Sequence, residues 1–217
     1  MVSLFDFPVL RIEQQSSQLE YEISNESGQL IGRAMQVAGP KPRKGLLAMF
    51  GSGLDDARVV VQVVGLDGAP LFYVDHQDGA PVAIVAPDGK VIGRFVYDVV
   101  GVAQRIAPTG LASGAANMAG MAFGFTPPPM THRLVDAHDR PLCQLDWTLQ
   151  RRGHGEDLRW VVVGCTCTDM RGRQIAQMEV QAATFKDRYI LRLHYQLPEP
   201  VRTLVIASPL AFDLTQS

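Results

Sequence analysis

A cluster of basic residues followed by apolar ones is the first part of the sequence whose side chains have an identifiable chemistry. Lys41, Arg43 and Lys44 precede an apolar run that ends at Phe50. Basic side chains hold anionic lipid headgroups at about 1 kcal/mol per charge, and neighbouring apolar side chains enter the membrane interface. The sequence therefore predicts a lipid-binding site at these four residues. The other interpretation is a solvated loop that leads into a small core helix.

A second candidate is the connection over residues 107–131, which is rich in Gly, Ala, Met, Phe and Pro. It carries Met118, Met121, Phe123 and Phe125 among small residues. Connections of this length are unusual in compact domains and are often functional, and methionine-rich surfaces adapt to varied contacts. The segment therefore predicts a loop that enters a membrane or binds a protein partner. Two other interpretations are open: it folds over one end of a barrel, or it is disordered.

Residue patterns typical of catalysis or metal binding are missing from the sequence. It has no GxSxG, HExxH or phosphate-loop pattern. Cys165 and Cys167 have no further Cys or His at metal-ligand spacing, so they are expected to be buried apolar side chains. Asp136, His138 and Asp139 fall where a hairpin turn needs short polar residues, which explains them without an acid–base role. We therefore expect no catalytic residues, no metal and no other cofactor.

Composition places the chain among globular proteins without a nucleic-acid partner. Its 217 residues are 47% hydrophobic and 19% charged, and the net charge is −2. The hydrophobic content supports one sizeable core, and a charge this small gives no field that attracts nucleic acid. The 20 glycines and 14 prolines are too many for a helix bundle and favour short strands joined by turns.

The cysteines and the N-terminal sequence indicate the cellular compartment. Three cysteines cannot form a closed disulfide framework. The first residues contain no basic region, and Asp6 interrupts the apolar stretch that a signal peptide would need. We therefore expect a reduced chain in the cytoplasm.

One short pattern recurs along the chain: Asp or Asn, then Gly, then a strand. The glycines of these turns are Gly28, Gly68, Gly89 and Gly172, and a version that starts at Asp136 lacks the glycine. Glycine takes positive φ without steric cost, and a preceding Asp or Asn bonds to its own backbone, so the pattern is typical of tight hairpins. Apolar and polar residues alternate beside the turns, as in half-buried strands, and about a dozen strands are predicted.

The same alternation predicts which side chains of a strand face the core. Over residues 141–149 the apolar face consists of Cys143, Leu145, Trp147 and Leu149. Over residues 159–168 it consists of Val161, Val163, Cys165 and Cys167.

The last apolar segment, residues 199–214, is predicted to be a buried helix. It is too short to span a membrane, and Arg202 and Asp213 interrupt it. Because it is apolar on nearly all sides, it is expected to be surrounded by protein. Pro209 is expected to end or kink it near Ser208. Many strands and one such helix predict a mainly β fold, a closed antiparallel barrel of about twelve strands around the helix.

The resemblance to a known family rests on three segments: YEISNESGQLIG at 21–32, APDGKVIGR at 86–94, and DRYILRLHYQLPEPVRTLVIASPLAFD at 187–213. They are similar to the phospholipid scramblase and LURP-one-related proteins, above all to the short actinobacterial members. The resemblance runs over nearly the whole chain and is weakest across 107–131. It implies a single tubby C-terminal-like domain over 1–217, a twelve-stranded barrel around a C-terminal helix, with a basic and apolar insertion at 39–57.

The resemblance also implies a role at membranes. Scramblases are associated with calcium-dependent lipid movement, and tubby domains bind phosphoinositides. The acidic segment that scramblases carry before the terminal helix is not matched, since residues 185–198 keep only Asp187 and calcium takes about six to eight oxygen ligands. We therefore expect a non-enzymatic phospholipid-binding barrel at the inner face of the plasma membrane, without calcium-triggered scrambling. The alternative is a soluble protein-interaction or adaptor module with no lipid role.

Overall fold

Twelve antiparallel strands form a closed barrel in the computed structural model, which describes residues 3–16, 19–40, 58–99, 130–153, 159–182 and 187–216. The strands are β1 (Val9–Ser16), β2 (Glu20–Asn25), β3 (Leu30–Ala38), β4 (Arg58–Gly65), β5 (Pro70–Gln77), β6 (Val82–Val85), β7 (Val91–Tyr97), β8 (Thr131–Asp136), β9 (Pro141–Arg152), β10 (Arg159–Asp169), β11 (Gln174–Ala182) and β12 (Asp187–Leu193). A C-terminal helix follows, α1 (Val201–Gln216). Each strand pairs with its neighbours in sequence, and β12 pairs with β1 to close the barrel. The predicted fold class is confirmed.

The connections between strands alternate between the two ends of the barrel, because neighbouring strands are antiparallel and follow the order of the chain. One end, the lower rim, holds the five short turns after β2, β4, β6, β8 and β10, and α1 starts from it. The other end, the upper rim, is where β1, β3, β5, β7, β9 and β11 end. Residues 41–57 and 100–129 both join strands at the upper rim.

The short turns of the lower rim have the conformation that the sequence predicts. The four predicted turn glycines all have φ between 78° and 85°. The turn without a glycine uses Asp139 instead, whose φ is 61°, since Asp enters the left-handed region more readily than most residues. Asp136 closes this turn by accepting hydrogen bonds from the backbone nitrogens of His138 at 2.8 Å and Arg140 at 3.0 Å. The residues of this turn therefore have the structural role that was expected.

A bulge in β10 overturns part of the predicted alternation. The two cysteines of this strand are buried as expected, and the predicted inner face of β9 is confirmed. Val162, however, packs against the core in place of Val161 and Val163. The pairing with β9 changes register between Val162 and Gly164, so β10 contains one extra residue and its two faces exchange there. A strict two-residue period cannot detect an inserted residue.

The helix α1 is buried on every side. Residues 203–212 are all buried, and so is Leu214. A helix on a protein surface buries only one stripe, so burial over nearly three turns means that strands surround α1. The helix starts at Val201 rather than at the predicted residue 199, because Glu199 is its cap: the carboxylate accepts hydrogen bonds from the backbone nitrogen and hydroxyl of Thr203 at 3.3 and 2.7 Å. The prediction of a buried central helix is confirmed.

Pro209 does not end α1, contrary to the sequence-based expectation. The helix continues without interruption to Gln216. Proline has no N–H group, so the carbonyl of Val205, four residues earlier, loses its usual partner. The hydroxyl of Ser208 donates a hydrogen bond to this carbonyl at 2.8 Å, which satisfies it inside the apolar barrel. The surrounding strands hold the remaining turns in place.

Candidate functional site

The residues predicted from sequence to bind lipid or a partner lie outside the described residues. They are Lys41, Arg43, Lys44, Phe50, Met118, Met121, Phe123 and Phe125. The described strands nevertheless fix where their segments join the barrel. Residues 41–57 connect β3 to β4, and residues 100–129, with Val99 and Met130 on either side, connect β7 to β8. Both segments therefore start and end at the upper rim, and the search for a site begins there.

Two neighbouring strands, β9 and β10, lose their outer partner strands towards the upper rim. β8 pairs with β9 only as far as Asp146, and β11 pairs with β10 only as far as Gly164. Beyond these points, residues 149–152 and 159–162 pair only with each other among the described strands. They form a two-stranded ribbon, here called the arm, whose base packs against the core through Leu149 and Val162.

The arm is rich in arginine. Arg152 and Arg159 are opposite each other in the ribbon, and Arg151 is opposite Trp160. The guanidinium carbon of Arg151 is 5.7 Å from the centre of the Trp160 ring, a cation–π distance. Like charges placed opposite each other destabilise a ribbon, and within the described chain no carboxylate lies within ion-pair distance of these three arginines. The arm is therefore suited to hold an anion between its side chains.

Exposed apolar side chains lie next to both long connections. Met35 and Val37 are at the end of β3, and Tyr97 and Val99 are at the end of β7. Tyr97 is 48% exposed and Val99 is 65% exposed. The upper rim thus combines the arginines of the arm with apolar groups. The lower rim also exposes apolar side chains, Leu66, Met170 and Tyr195, but its arginines Arg140 and Arg173 pair with carboxylates in their own turns.

A cavity of about 440 Å³ opens at the upper rim. It lies between the β5–β6 turn, the end of β7, the start of β8 and the end of α1. Its lining includes Val82, Phe95, Tyr97, Met130 and His132. The cavity therefore has a mostly apolar and aromatic wall with one imidazole in it.

The imidazole of His132 is held on several sides. Trp147 donates a hydrogen bond from Nε1 to His132 Nδ1 at 2.9 Å. The ring of Phe95 stacks on the imidazole at 4.3 Å between centroids, and Tyr97 meets it edge-on at 5.3 Å. Burial lowers the pKa of His132 to about 4. The side chain is therefore a neutral ring of fixed orientation at neutral pH.

A buried carboxyl fastens the end of α1 to the barrel wall. Asp213 accepts a hydrogen bond from the hydroxyl of Tyr21 on β2, and another from the hydroxyl of Tyr189 on β12 at 2.9 Å. Burial raises the pKa of Asp213, although the two hydroxyls oppose that change. Burial, with help from Asp213, also raises the pKa of Asp187. The cluster joins the helix to two strands near the upper rim.

Substitution of Asp213→Asn is expected to remove a contribution to stability that decreases as pH rises. Because the folded-state pKa of Asp213 lies above the unfolded value, the folded protein binds this proton more tightly. The free energy of unfolding contributed by the carboxyl therefore falls as pH rises from the unfolded pKa through the folded one. Asparagine has no titrating proton, and its side-chain oxygen can still accept a hydrogen bond from a tyrosine hydroxyl. Urea unfolding at several pH values between about 3.5 and 7.5 measures this dependence.

The comparison between the two proteins measures the contribution of Asp213 together with its effect on the pKa of Asp187. The lowered pKa of His132 acts in the opposite direction, since its contribution to stability is lost as pH falls from about 6.5 to about 4, but it acts equally in both proteins. Substitution of the exposed Asp78→Asn serves as the control. Equal pH dependence of wild type and Asp213→Asn would contradict the assignment.

The described residues contain no candidate metal site and no reactive thiol. No group of three or more potential metal ligands occurs among these residues. Cys165 and Cys167 are unpaired and buried, and burial raises the pKa of the Cys165 thiol, so it carries no reactive thiolate at neutral pH. Among the described residues, no helix has the length and apolar content that a membrane crossing needs.

Comparison with known proteins identifies no family. No protein-family model matches the chain, and no curated protein does. Among the solved structures, an X-ray structure of a protein from Arabidopsis thaliana is similar over 97% of this chain and 94% of that chain, with 12% sequence identity and a TM-score of 0.45. This likeness is compatible with the barrel and says nothing about function.

Sequence reasoning missed the arm and the cavity. The arm had a signal, because Arg151 and Arg152 come directly before a polar turn and Arg159 and Trp160 directly after it. Writing the two strands as a hairpin would have placed these side chains together. The site around His132 had no signal in the sequence, because the residues that surround this side chain come from β7, β9 and α1.

Proposed function

We propose that this chain is a non-enzymatic β-barrel that binds anionic phospholipid at a membrane surface through its upper rim. The observation that carries the proposal is the difference between the two rims. In the lower-rim turns Arg140 and Arg173 pair with carboxylates, whereas the arm at the upper rim brings together three arginines without an ion-pair partner among the described residues. Both segments that were predicted to contact lipid join the barrel at this same rim.

The chemistry of the upper rim fits phospholipid headgroups. Guanidinium groups bind phosphate through paired hydrogen bonds and carry a permanent charge. Tryptophan and tyrosine are favoured at the membrane–water interface, and Trp160 and Tyr97 supply both. Stable attachment requires basic charge and apolar insertion together. The basic residues Lys41, Arg43 and Lys44 and the apolar Phe50 would add to the same surface.

The resemblance to phospholipid scramblase and LURP-one-related proteins supports the same role. Anionic lipids are concentrated in the cytoplasmic leaflet of the plasma membrane, so we place the protein at the inner face of that membrane as a peripheral component. Calcium is not part of the proposal, because residues 185–198 carry a single carboxylate.

Vesicle flotation tests the proposal. Wild type is expected to float with phosphatidylcholine vesicles that contain phosphatidylserine and not with pure phosphatidylcholine vesicles. Changing the three arm arginines, Arg151, Arg152 and Arg159, to glutamine is expected to weaken binding about tenfold or more, since each charge contributes about 1 kcal/mol. The same change at Lys41, Arg43 and Lys44 is expected to have a similar effect.

Two matched variants locate the contact. Neutralising Lys90 and Arg171 removes two charges from the lower rim and is expected to leave binding unchanged. Neutralising Glu156 and Asp157, which lie between the two halves of the arm in sequence, is expected to strengthen it. The proposal is wrong if wild type floats with neither vesicle, or if the lower-rim variant weakens binding as much as the arm variant.

A protein-binding role is the second candidate function. The feature of the arm that favours it is the unpaired edge of each strand. Each strand of the arm has one edge without a partner strand among the described residues, and such an edge accepts an added strand from another protein. Co-purification of a partner that survives a high-salt wash, together with the absence of vesicle binding, would favour this role over the first.

A further inference from the structure

The cavity at the upper rim has the size and wall of a small-molecule site. Its volume of about 440 Å³ falls within the range of about 300 to 1,000 Å³ that is usual for ligand pockets. Its wall includes Val82, Phe95, Tyr97 and Met130. Thr215 also contributes to the lining, but its hydroxyl already donates to the carbonyl of Phe212 at 2.7 Å.

One hydrogen-bond donor in this wall has a fixed orientation and is available to a ligand. His132 is only 5% exposed, and its Nδ1 accepts from Trp147, so Nε2 carries the ring proton. No acceptor for Nε2 occurs within the described part of the chain. Nε2 is not one of the fully buried atoms that lack a partner, so it can be reached from the cavity that His132 lines, and a ligand oxygen there would accept its hydrogen bond.

The neutral state of the ring limits the class of ligand. Burial lowers the pKa of His132 to about 4, so the ring gives no positive charge to a carboxylate or phosphate at neutral pH. An uncharged carbonyl oxygen can accept the hydrogen bond from Nε2 without placing a charge next to apolar side chains. The aliphatic and aromatic side chains around it fit a hydrocarbon chain.

We propose that this cavity binds an aliphatic chain that bears an ester carbonyl, and that the carbonyl oxygen accepts a hydrogen bond from His132 Nε2. The chemistry is common to the ester group of a lipid and to a small free ester. The proposal does not depend on the vesicle binding proposed above, because none of the arm arginines lines the cavity; Tyr97 belongs to both surfaces.

Two ligands of equal chain length distinguish these sources. Methyl hexanoate is the free ester, and dihexanoylphosphatidylcholine below its micelle concentration is the lipid. Each is titrated into the full chain, and the side-chain nitrogen signals of His132 are followed by NMR. Saturable binding with a shift of the Nε2 signal is expected for at least one of them, and the one that binds more tightly identifies the source.

Three variants separate a role in the site from a role in folding. His132→Asn keeps an oxygen near the position of Nδ1, so it still accepts from Trp147, but it has no donor in place of Nε2; binding is expected to weaken about three- to tenfold. Tyr97→Ala removes an exposed part of the wall and is expected to weaken binding as well. Tyr195→Ala removes a similarly exposed ring from the lower rim and is expected to change nothing.

Two results would overturn the proposal. One is the absence of saturable binding of both esters to wild type. The other is binding to Tyr97→Ala with unchanged affinity and without any shift of the His132 signals. This second result does not require His132→Asn to fold. If the esters do not bind to the cavity, the expected result of vesicle flotation is unchanged, so the two proposals can be rejected separately.

Discussion

Deletion of residues 199–217 is expected to unfold the protein completely. α1 buries six large apolar side chains inside the barrel, Leu204, Val205, Ile206, Leu210, Phe212 and Leu214. Each contributes about 1.5 to 3 kcal/mol relative to exposure, so together they supply on the order of 10 kcal/mol, as much as the whole stability of a typical domain. The truncated chain is expected to lose near-UV circular dichroism and cooperative unfolding.

A single substitution tests the same claim in a folded protein. Leu210 is 1% exposed, and Leu210→Ala is expected to cost about 2 to 5 kcal/mol, since the rigid barrel cannot close around the lost volume. Val99→Ala, at an exposed position, is the control and is expected to change stability by less than about 0.5 kcal/mol. A truncated chain with native near-UV circular dichroism would contradict the position of α1.

The substitution Gly93→Ala is expected to be among the most damaging single changes in the barrel. Gly93 is in β7, next to Leu204 of α1. A β-carbon at this position would overlap the backbone carbonyl oxygen of Val135 and lie 2.9 Å from Leu204 Cδ1. The carbonyl belongs to the neighbouring strand and cannot move without breaking the pairing. A loss of more than about 3 kcal/mol is expected.

Gly89→Ala is the matched control for this prediction. Gly89 lies in the turn before the same strand, with φ of +85° and no atom within 4 Å of an added β-carbon. Its cost is therefore only that of the left-handed backbone, about 1 to 2 kcal/mol. Urea unfolding of the two variants checks the difference. Equal losses would contradict the close approach of Val135 and Leu204 to Gly93.

The parts of the fold that depend on local chemistry could be predicted from the sequence. A turn such as 86–90 is determined by a few adjacent residues, and the all-round apolar pattern of α1 requires a surrounding wall. Two details could not be predicted, because each depends on a partner. The helix passes Pro209 since Ser208 satisfies the Val205 carbonyl, and the bulge near Gly164 becomes visible only when β10 is aligned with β9.

The candidate site was harder to predict, because its parts meet only in the folded barrel. The sequence pointed to segments that join the upper rim, and the roles of Lys41 and Phe50 stay predictions. The arm depends on the register that brings Arg152 opposite Arg159. The environment of His132 depends on contacts with residues far away in sequence, such as Phe212, which no local pattern reveals.

Hydrogen–deuterium exchange in the presence of vesicles tests the proposed use of the upper rim most directly. With vesicles that contain phosphatidylserine, backbone amides of the arm, residues 149–152 and 159–162, are predicted to exchange more slowly than in buffer. Amides of the lower-rim turns around Gly68 and Gly172 are predicted to exchange at unchanged rates. Slower exchange confined to the lower-rim turns, or no change at either rim, would contradict the account.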